Sequence, residues 1–374
     1  MDYLQLAKDY ATDLRGRYIT MEHIYPILKS FNGSLKQIGK SVNHQPIYSY
    51  KIGQGSKRIV LWSQMHGNES TTTKGLIDFL CFLNEPSSIQ QAILTKYTLY
   101  IIPILNVDGA KSYTRNNANG IDLNRDAFSI SQPESQLLRT FILDHSPNLC
   151  FNLHDQRTIF ATDRLYKPAT MSFLAPSYNS QRSFNSTRLK AVKTILNIQQ
   201  VLKNYLPDQI GRYDDRFNIN CIGDYLMNQG YPTILFEAGH FLNDYQRDTV
   251  RYFVFISLIT SLKERHLFND RQLLLNIYDE IPNNISYFYD IIYKNVKINV
   301  QNEEKIIKFA AQFEEKLVND LVHFDAKIVK NSDLENNKGH LEYDFEGAKY
   351  FSNYGEYPKI GQIADFSLKK VNKI

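Results

Sequence analysis

Short runs of consecutive apolar residues alternate along this chain with stretches whose apolar positions recur every three or four residues. The runs are RIVLWSQ (58–64), YTLYIIPIL (97–105), NLCFNLH (148–154) and YPTILFE (231–237), rich in β-branched and aromatic residues. Each reads as a buried strand. Between and after them, GLIDFLCFLN (75–84), PESQLLRTFILDH (133–145), STRLKAVKTILNIQQVLKNYL (186–206) and RDTVRYFVFISLITSLKERHL (247–267) carry helical periodicity. The alternation predicts an α/β domain with a mixed, mainly parallel central sheet flanked by helices, preceded by an amphipathic helical lead-in at the N-terminus.

The pattern changes near residue 270. Beyond it the chain is rich in Asn, Lys and Tyr, with short alternating segments such as YDIIYKNVKINV (289–300) and HLEYDFEGAKYF (340–351). One stretch, NEEKIIKFAAQFEEKLVNDL (302–321), reads as a helix. The expected organisation is therefore a main domain over 1–269 and a small C-terminal α+β appendage over 270–374.

In an open α/β sheet, ligands bind in the crevice at the carboxyl ends of the strands. Those ends carry His66, Asn106, His154 and Glu237 here. His66 and Glu69 lie three apart in MHGNES, where a strand turns into a helix, so both can point the same way. A catalytic zinc takes three protein ligands, and His, His and Glu is a known set. His154 is the leading candidate for the third among nine histidines. Singly, each has a bland reading, such as a chance pair or a hydrogen-bonded core histidine. Glu237 is harder to dismiss, because an acid ending an apolar strand is costly unless paired or used. The segment NVDGAKSYTRNNANGIDLNRD (106–126) gathers Arg115, Asp122, Asn124 and Arg125 into one loop, suited to gripping an anion. An arginine there can hold a carboxylate in a two-pronged fork.

Composition narrows the partners. The chain has 43 basic and 39 acidic residues among 374, spread without a basic block, which argues against a nucleic-acid partner. No apolar segment is long enough to span a bilayer, and YFVFISLITSL is too short. The N-terminus lacks the pattern of a secretory signal, and the three separated cysteines read as free thiols, so a cytoplasmic location is expected. Oligomeric state is not legible.

The ordered motifs HGNE, NVDG, RNNANGIDLNRD, FNLH and FEAGH resemble those of the M14 (carboxypeptidase A-like) zinc carboxypeptidases over about residues 40–265. The short spacing between Arg115 and Asn124 is closer to the compact bacterial members. The resemblance implies one zinc per chain on His66, Glu69 and His154, with Glu237 as general base. It implies that Arg115 polarises the scissile carbonyl, that Asn124 and Arg125 bind a peptide's free C-terminal carboxylate, and that Asp122 orients a zinc-bound histidine. Val107 stands where the family has proline, and Asp126 where it often has a second asparagine. Ungapped alignment puts Arg216 near the place of the family's mobile tyrosine, either contacting a second acidic group or paired on the surface with Asp214 or Asp215; Tyr213 lies in the same loop. It also puts Gly223 at the floor of the specificity pocket, with Asp224 beside it. The implied activity is hydrolysis of a C-terminal peptide bond by metal-activated water. The alternative is an N-acyl amino acid amidohydrolase resembling aspartoacylase and succinylglutamate desuccinylase, which share this kind of site and carry a smaller C-terminal domain.

Overall fold

A computed structural model describes residues 1–263, 270–300, 303–331, 334, 336–353 and 355–369. The chain divides into two compact units, one of Met1–Gln156 with Thr162–Asn284 and the other of Arg157–Ala161 with Ile285–Ile374.

In the first unit the helices are α1 (Tyr3–Asp9), α2 (Met21–Ser30), α3 (Thr71–Asn84), α4 (Ser88–Lys96), α5 (Val107–Ser112), α6 (Pro133–His145), α7 (Ser186–Leu202), α8 (Ile222–Asn228), α9 (Val250–Ser261) and α10 (Arg271–Asp279). The strands are β1 (Ser34–Lys40), β2 (Pro46–Ile52), β3 (Lys57–Ser63), β4 (Tyr97–Ile102), β5 (Leu149–Asp155), β6 (Met171–Leu174), β7 (Ile210–Arg212) and β8 (Thr233–Ala238). They form one eight-stranded sheet in the order β1-β2-β4-β3-β5-β8-β6-β7. The central strands β4, β3, β5 and β8 are parallel, while β1, β2 and the β8–β6 pairing are antiparallel. This is the expected mixed, mainly parallel sheet. The four apolar runs supply its parallel centre, and β5 is buried at every position.

The helices follow from their sequences. Asn185 caps α7 by accepting the Arg188 amide, and Pro133 opens α6, where its missing N–H costs nothing. Helix α3 packs against α9 so closely that Gly75 has room for no Cβ, which would meet Val254 Cβ at 2.6 Å. Between these helices the buried Arg251 forks onto Asp78, itself held by the Thr12 amide. Of the lead-in, residues 3–9 are helical. The last residues of the α9 reading, 264–267, and the expected boundary at 269 lie at or within residues 264–269, outside the described residues.

The second unit contains β9 (Phe288–Val300), β10 (Glu303–Val318), β11 (Leu321–Lys330), β12 (Lys338–Asp344), β13 (Lys349–Phe351) and β14 (Ser367–Lys369). These form a six-stranded sheet in the order β11-β10-β9-β13-β14, with β12 also on β9. The helix expected over 302–321 is corrected here: Glu303–Val318 is a strand, paired with β9 on one side and β11 on the other, and Asn302 lies outside the described residues. Its Glu, Lys and Ala content mimics a helix, yet Ile307, Phe309, Ala311 and Phe313 also alternate with period two. Phe309 and Ala311 sit in the unit's aromatic core with Tyr293 and Tyr350, and that packing overrides propensity. Among its described residues this unit is all β rather than α+β.

Candidate metal centre

The site is built where β3, β4, β5 and β8 end. After Ser63 the chain turns through Gln64, held at φ +44°, into the HGNE turn and then α3. The Gln64 amide fixes the turn by donating to Ile19 O (3.0 Å) and Gly67 O (2.8 Å) and accepting from Thr73 Oγ1 (2.7 Å). The NVDG turn at the end of β4 interlocks with it. Asn106 accepts the Gly109 amide at 2.9 Å and donates to Met65 O and Arg115 O. Gly67 approaches so near that a Cβ there would meet the Gly109 carbonyl carbon at 2.0 Å. The HGNE turn thus needs its glycine because the NVDG backbone touches it, while a Cβ on Gly109 would meet the Asn106 side chain at 2.4 Å.

From β5, Asp155 locks the third side. Its carboxylate accepts the amides of Thr71 (2.9 Å) and Thr72 (3.2 Å) at the start of α3, while its own amide donates to Glu69 Oε2 (3.1 Å). Residues 66, 69 and 154 are thereby brought together from turns 85 positions apart.

Within the cluster, His66 Nδ1 lies 2.7 Å from Glu69 Oε1, His154 Nδ1 lies 2.7 Å from Glu69 Oε2, and the two Nδ1 atoms are 3.1 Å apart. All three residues are buried. Lone pairs cannot face one another at these distances without a proton or a cation between them. Ligand atoms about 2.0–2.2 Å from a tetrahedral ion lie about 3.3 Å apart, close to this spacing. His66 Nε2 donates to Asp122 Oδ1 at 2.9 Å, which leaves its Nδ1 lone pair for the cluster. The donor set therefore fits a zinc ion.

The electrostatics agree. Burial alone would raise the Glu69 carboxyl, but the charges and hydrogen bonds of His66 and His154 outweigh it and hold it well below the usual range. Burial pushes His154 down, toward the neutral ring that binds metal, whereas at His66 burial is outweighed by the Glu69 and Asp122 carboxylates, which raise it. Glu237 is raised well above the ordinary value, by burial first and then by the charges of Glu69 and Asp155. It is the registered partner of His154 across β5–β8, so the two share one face of the sheet.

Arg115 links the cluster to the loop. Its Nη1 donates to Glu69 Oε1 (3.1 Å), while Nε and Nη2 donate to Asp122 Oδ2 (3.2 and 3.0 Å). Beyond Asp122 the chain makes a single 3-10 turn, Leu123–Arg125, whose Asn124 amide is accepted by Asp122 Oδ1. Asn124 Oδ1 in turn lies 3.4 Å from the amide of Ile222, beside Gly223, so the loop and the start of α8 are neighbours. Arg125 is exposed and donates to Asn124 O at 3.2 Å. Asp126 points away, accepting from Ser131 and from the Gln132 amide to hold the approach to α6.

Arg216 is not brought to the cluster by any contact among the described residues. It is 84% exposed and paired with Asp214 in its own loop, the surface pairing set beside the substrate contact above. Sequence reasoning missed Gln64 and the capping role of Asp155. A polar residue at each of two buried strand ends was the available signal.

The zinc carboxypeptidase family model matches residues 28–131. Carboxypeptidase SOL1 of Arabidopsis thaliana is 27% identical over 157 residues, 35% of this chain and 32% of its own length. Probable carboxypeptidase 2 of Trichophyton verrucosum is 23% identical over 126 residues, 30% of this chain and 24% of its own. The chain thus spans about a third or less of these curated relatives. Among solved structures, the metallo-carboxypeptidase of Burkholderia cenocepacia has a TM-score of 0.51 at 17% identity, covering 65% of this chain and 69% of that one. That of Pseudomonas aeruginosa, in complex with (2-guanidinoethylmercapto)succinic acid, has 0.52 at 16%, covering 66% and 70%. Carboxypeptidase A of Helicoverpa armigera has 0.51 at 18%, covering 69% and 77%. The resemblance drawn from the motifs is borne out, and the fold is that of the metallocarboxypeptidases.

Proposed function

We propose that the chain is a zinc-dependent carboxypeptidase that removes the C-terminal residue of peptides. The observation that carries this reading is the buried convergence of His66 Nδ1, His154 Nδ1 and the Glu69 carboxylate beside Glu237. His66, Glu69 and His154 would hold one zinc, which when bound acidifies water and polarises a carbonyl. The Glu237 side chain makes no hydrogen bond or ion pair among the described residues, and its raised affinity for a proton suits a general base. It takes a proton from the attacking water and passes it to the departing amine.

Arg115 supports the carbonyl oxygen. Asp122 fixes one edge of its guanidinium, and Nη1, which donates one N–H to Glu69 Oε1, keeps its second N–H for the place where negative charge develops. Asn124 and Arg125 hold the free carboxylate, Arg125 with the exposed fork of donors that geometry needs. Family match and fold favour this reading over the N-acyl amino acid amidohydrolase.

The test compares one peptide with a free and with an amidated C-terminus, on protein whose zinc content has been measured. The expected result is about one zinc per chain and cleavage of the free peptide alone. Equal cleavage of both would refute the carboxypeptidase reading while leaving a zinc hydrolase.

A further inference from the structure

The outer ring nitrogens of the two cluster histidines are treated differently. His66 Nε2 has the Asp122 carboxylate as its acceptor. His154 Nε2 is buried and has no hydrogen-bond partner among the described residues. Two other buried atoms share that condition, Asn152 Oδ1 and Trp62 Nε1. The three residues are neighbours. Asn152 precedes His154 by two along β5 and so shares its face, and Trp62 on β3 is the registered partner of Asn152. His154 and Asn152 are each 2% exposed and Trp62 is fully buried.

The set comprises an indole donor, an amide acceptor and a ring nitrogen that carries a proton once its Nδ1 serves as a ligand. Leaving such groups unsatisfied is costly, and none bonds another directly. We propose that the three atoms hold one buried water, and that Asn152 is through it the positioning residue for His154. The water accepts from His154 Nε2–H and Trp62 Nε1–H and donates to Asn152 Oδ1. Three hydrogen bonds are what a buried water commonly makes. This gives His154 the outer partner that Asp122 gives His66, and it accounts for an asparagine inside a buried strand. The purpose of the water rests on the metal reading above.

Asn152→Leu keeps the branching at Cγ and removes the acceptor, while Asn152→Asp keeps an acceptor. In chelator competition, Asn152→Leu is expected to bind zinc about 10-fold more weakly than wild type. Asn152→Asp is expected to bind at least as tightly as wild type. A residue that merely packs predicts the opposite order, because a buried charge disrupts and leucine does not. In zinc-loaded wild type the His154 Nε2–H should give a slowly exchanging, downfield proton signal, which Asn152→Leu loses. If Asn152→Leu does not fold, Trp62→Phe takes its place in the signal measurement, and Asn152→Asp decides affinity. Wild-type affinity together with an unchanged signal in the variant that removes a partner overturns the proposal. A high-resolution crystal structure showing the water in a protein with no zinc affinity would support the hydration site and overturn the metal reading alone.

Discussion

The turns that carry His66, Glu69 and His154 and the loops that carry Arg125 and Arg216 belong to one unit but are built on opposite principles. In the first region each proposed ligand is buried and tied to another element: Glu69 to Asp155, His66 to Asp122, His154 to Glu69, and the HGNE turn to Asn106, with Gly67 against Gly109. In the second, both arginines are exposed: Arg125 donates to Asn124 O and meets Cys221, and Arg216 pairs with Asp214 in its own loop. A metal ion requires fixed donors, since misplaced ligands cost affinity directly. A substrate's carboxylate must arrive and leave, so its partner is better held open to water until then. The difference predicts that damage to the first region removes the metal, and that damage to the second removes only substrate.

The largest effect should come from the ligands themselves. His154→Ala or His66→Ala is expected to abolish zinc binding and, with it, activity, as read by metal analysis of purified protein. Full zinc content in both variants would erase the contrast. Arg125→Ala should leave zinc content and melting temperature near wild type while lowering kcat/KM for free-carboxylate peptides by about 1.5–3 kcal/mol, or roughly 10- to 150-fold. A loss of zinc in that variant would show that the open loop is part of the rigid region after all.

The strand ends were legible because consecutive apolar residues that stop at a histidine, an asparagine or an acid leave that residue few places to go. His66, Asn106, His154 and Glu237 were readable on that ground and Glu69 on its three-residue spacing to His66, and the sheet does align His154 with Glu237. What joins the turns was not readable. The contacts of Asp155 with Thr71 and Thr72, and of Asn106 with Met65, depend on distances through space that no spacing along the chain encodes. Residues 303–318 show the other failure. There one sequence satisfies both a helical and an alternating pattern, and only the neighbours β9 and β11 decide between them.

Between the two regions stands Asp224, at the start of α8. It is raised to about 6 by burial, although it accepts the Asn218 amide at 2.9 Å. Since its folded value lies above the ordinary 3.8, its contribution to stability is fully present below about pH 4 and is lost as pH rises through about 6. Asp224→Asn removes that dependence. Its stability relative to wild type should therefore improve between pH 4 and pH 7 by on the order of 2 kcal/mol, as measured by denaturant titration at each pH. A pH-independent difference would show that Asp224 is ionised at its ordinary value. The smallest effect is expected for Arg216→Ala. An ion pair this exposed contributes about 0–1 kcal/mol, so stability and zinc content should hardly move. A large loss in kcat/KM for substrates bearing a second acidic group would restore the substrate contact that the alignment suggested.

The central claim is that Glu237 moves the proton while His66, Glu69 and His154 hold the metal. Turnover and zinc content of Glu237→Gln, measured on the same preparation, test it most directly. The substitution keeps the shape but cannot take up water's proton. The account predicts zinc content and melting temperature near wild type, with turnover lower by on the order of 10²–10⁴. Loss of stability with most activity per folded molecule retained would contradict it.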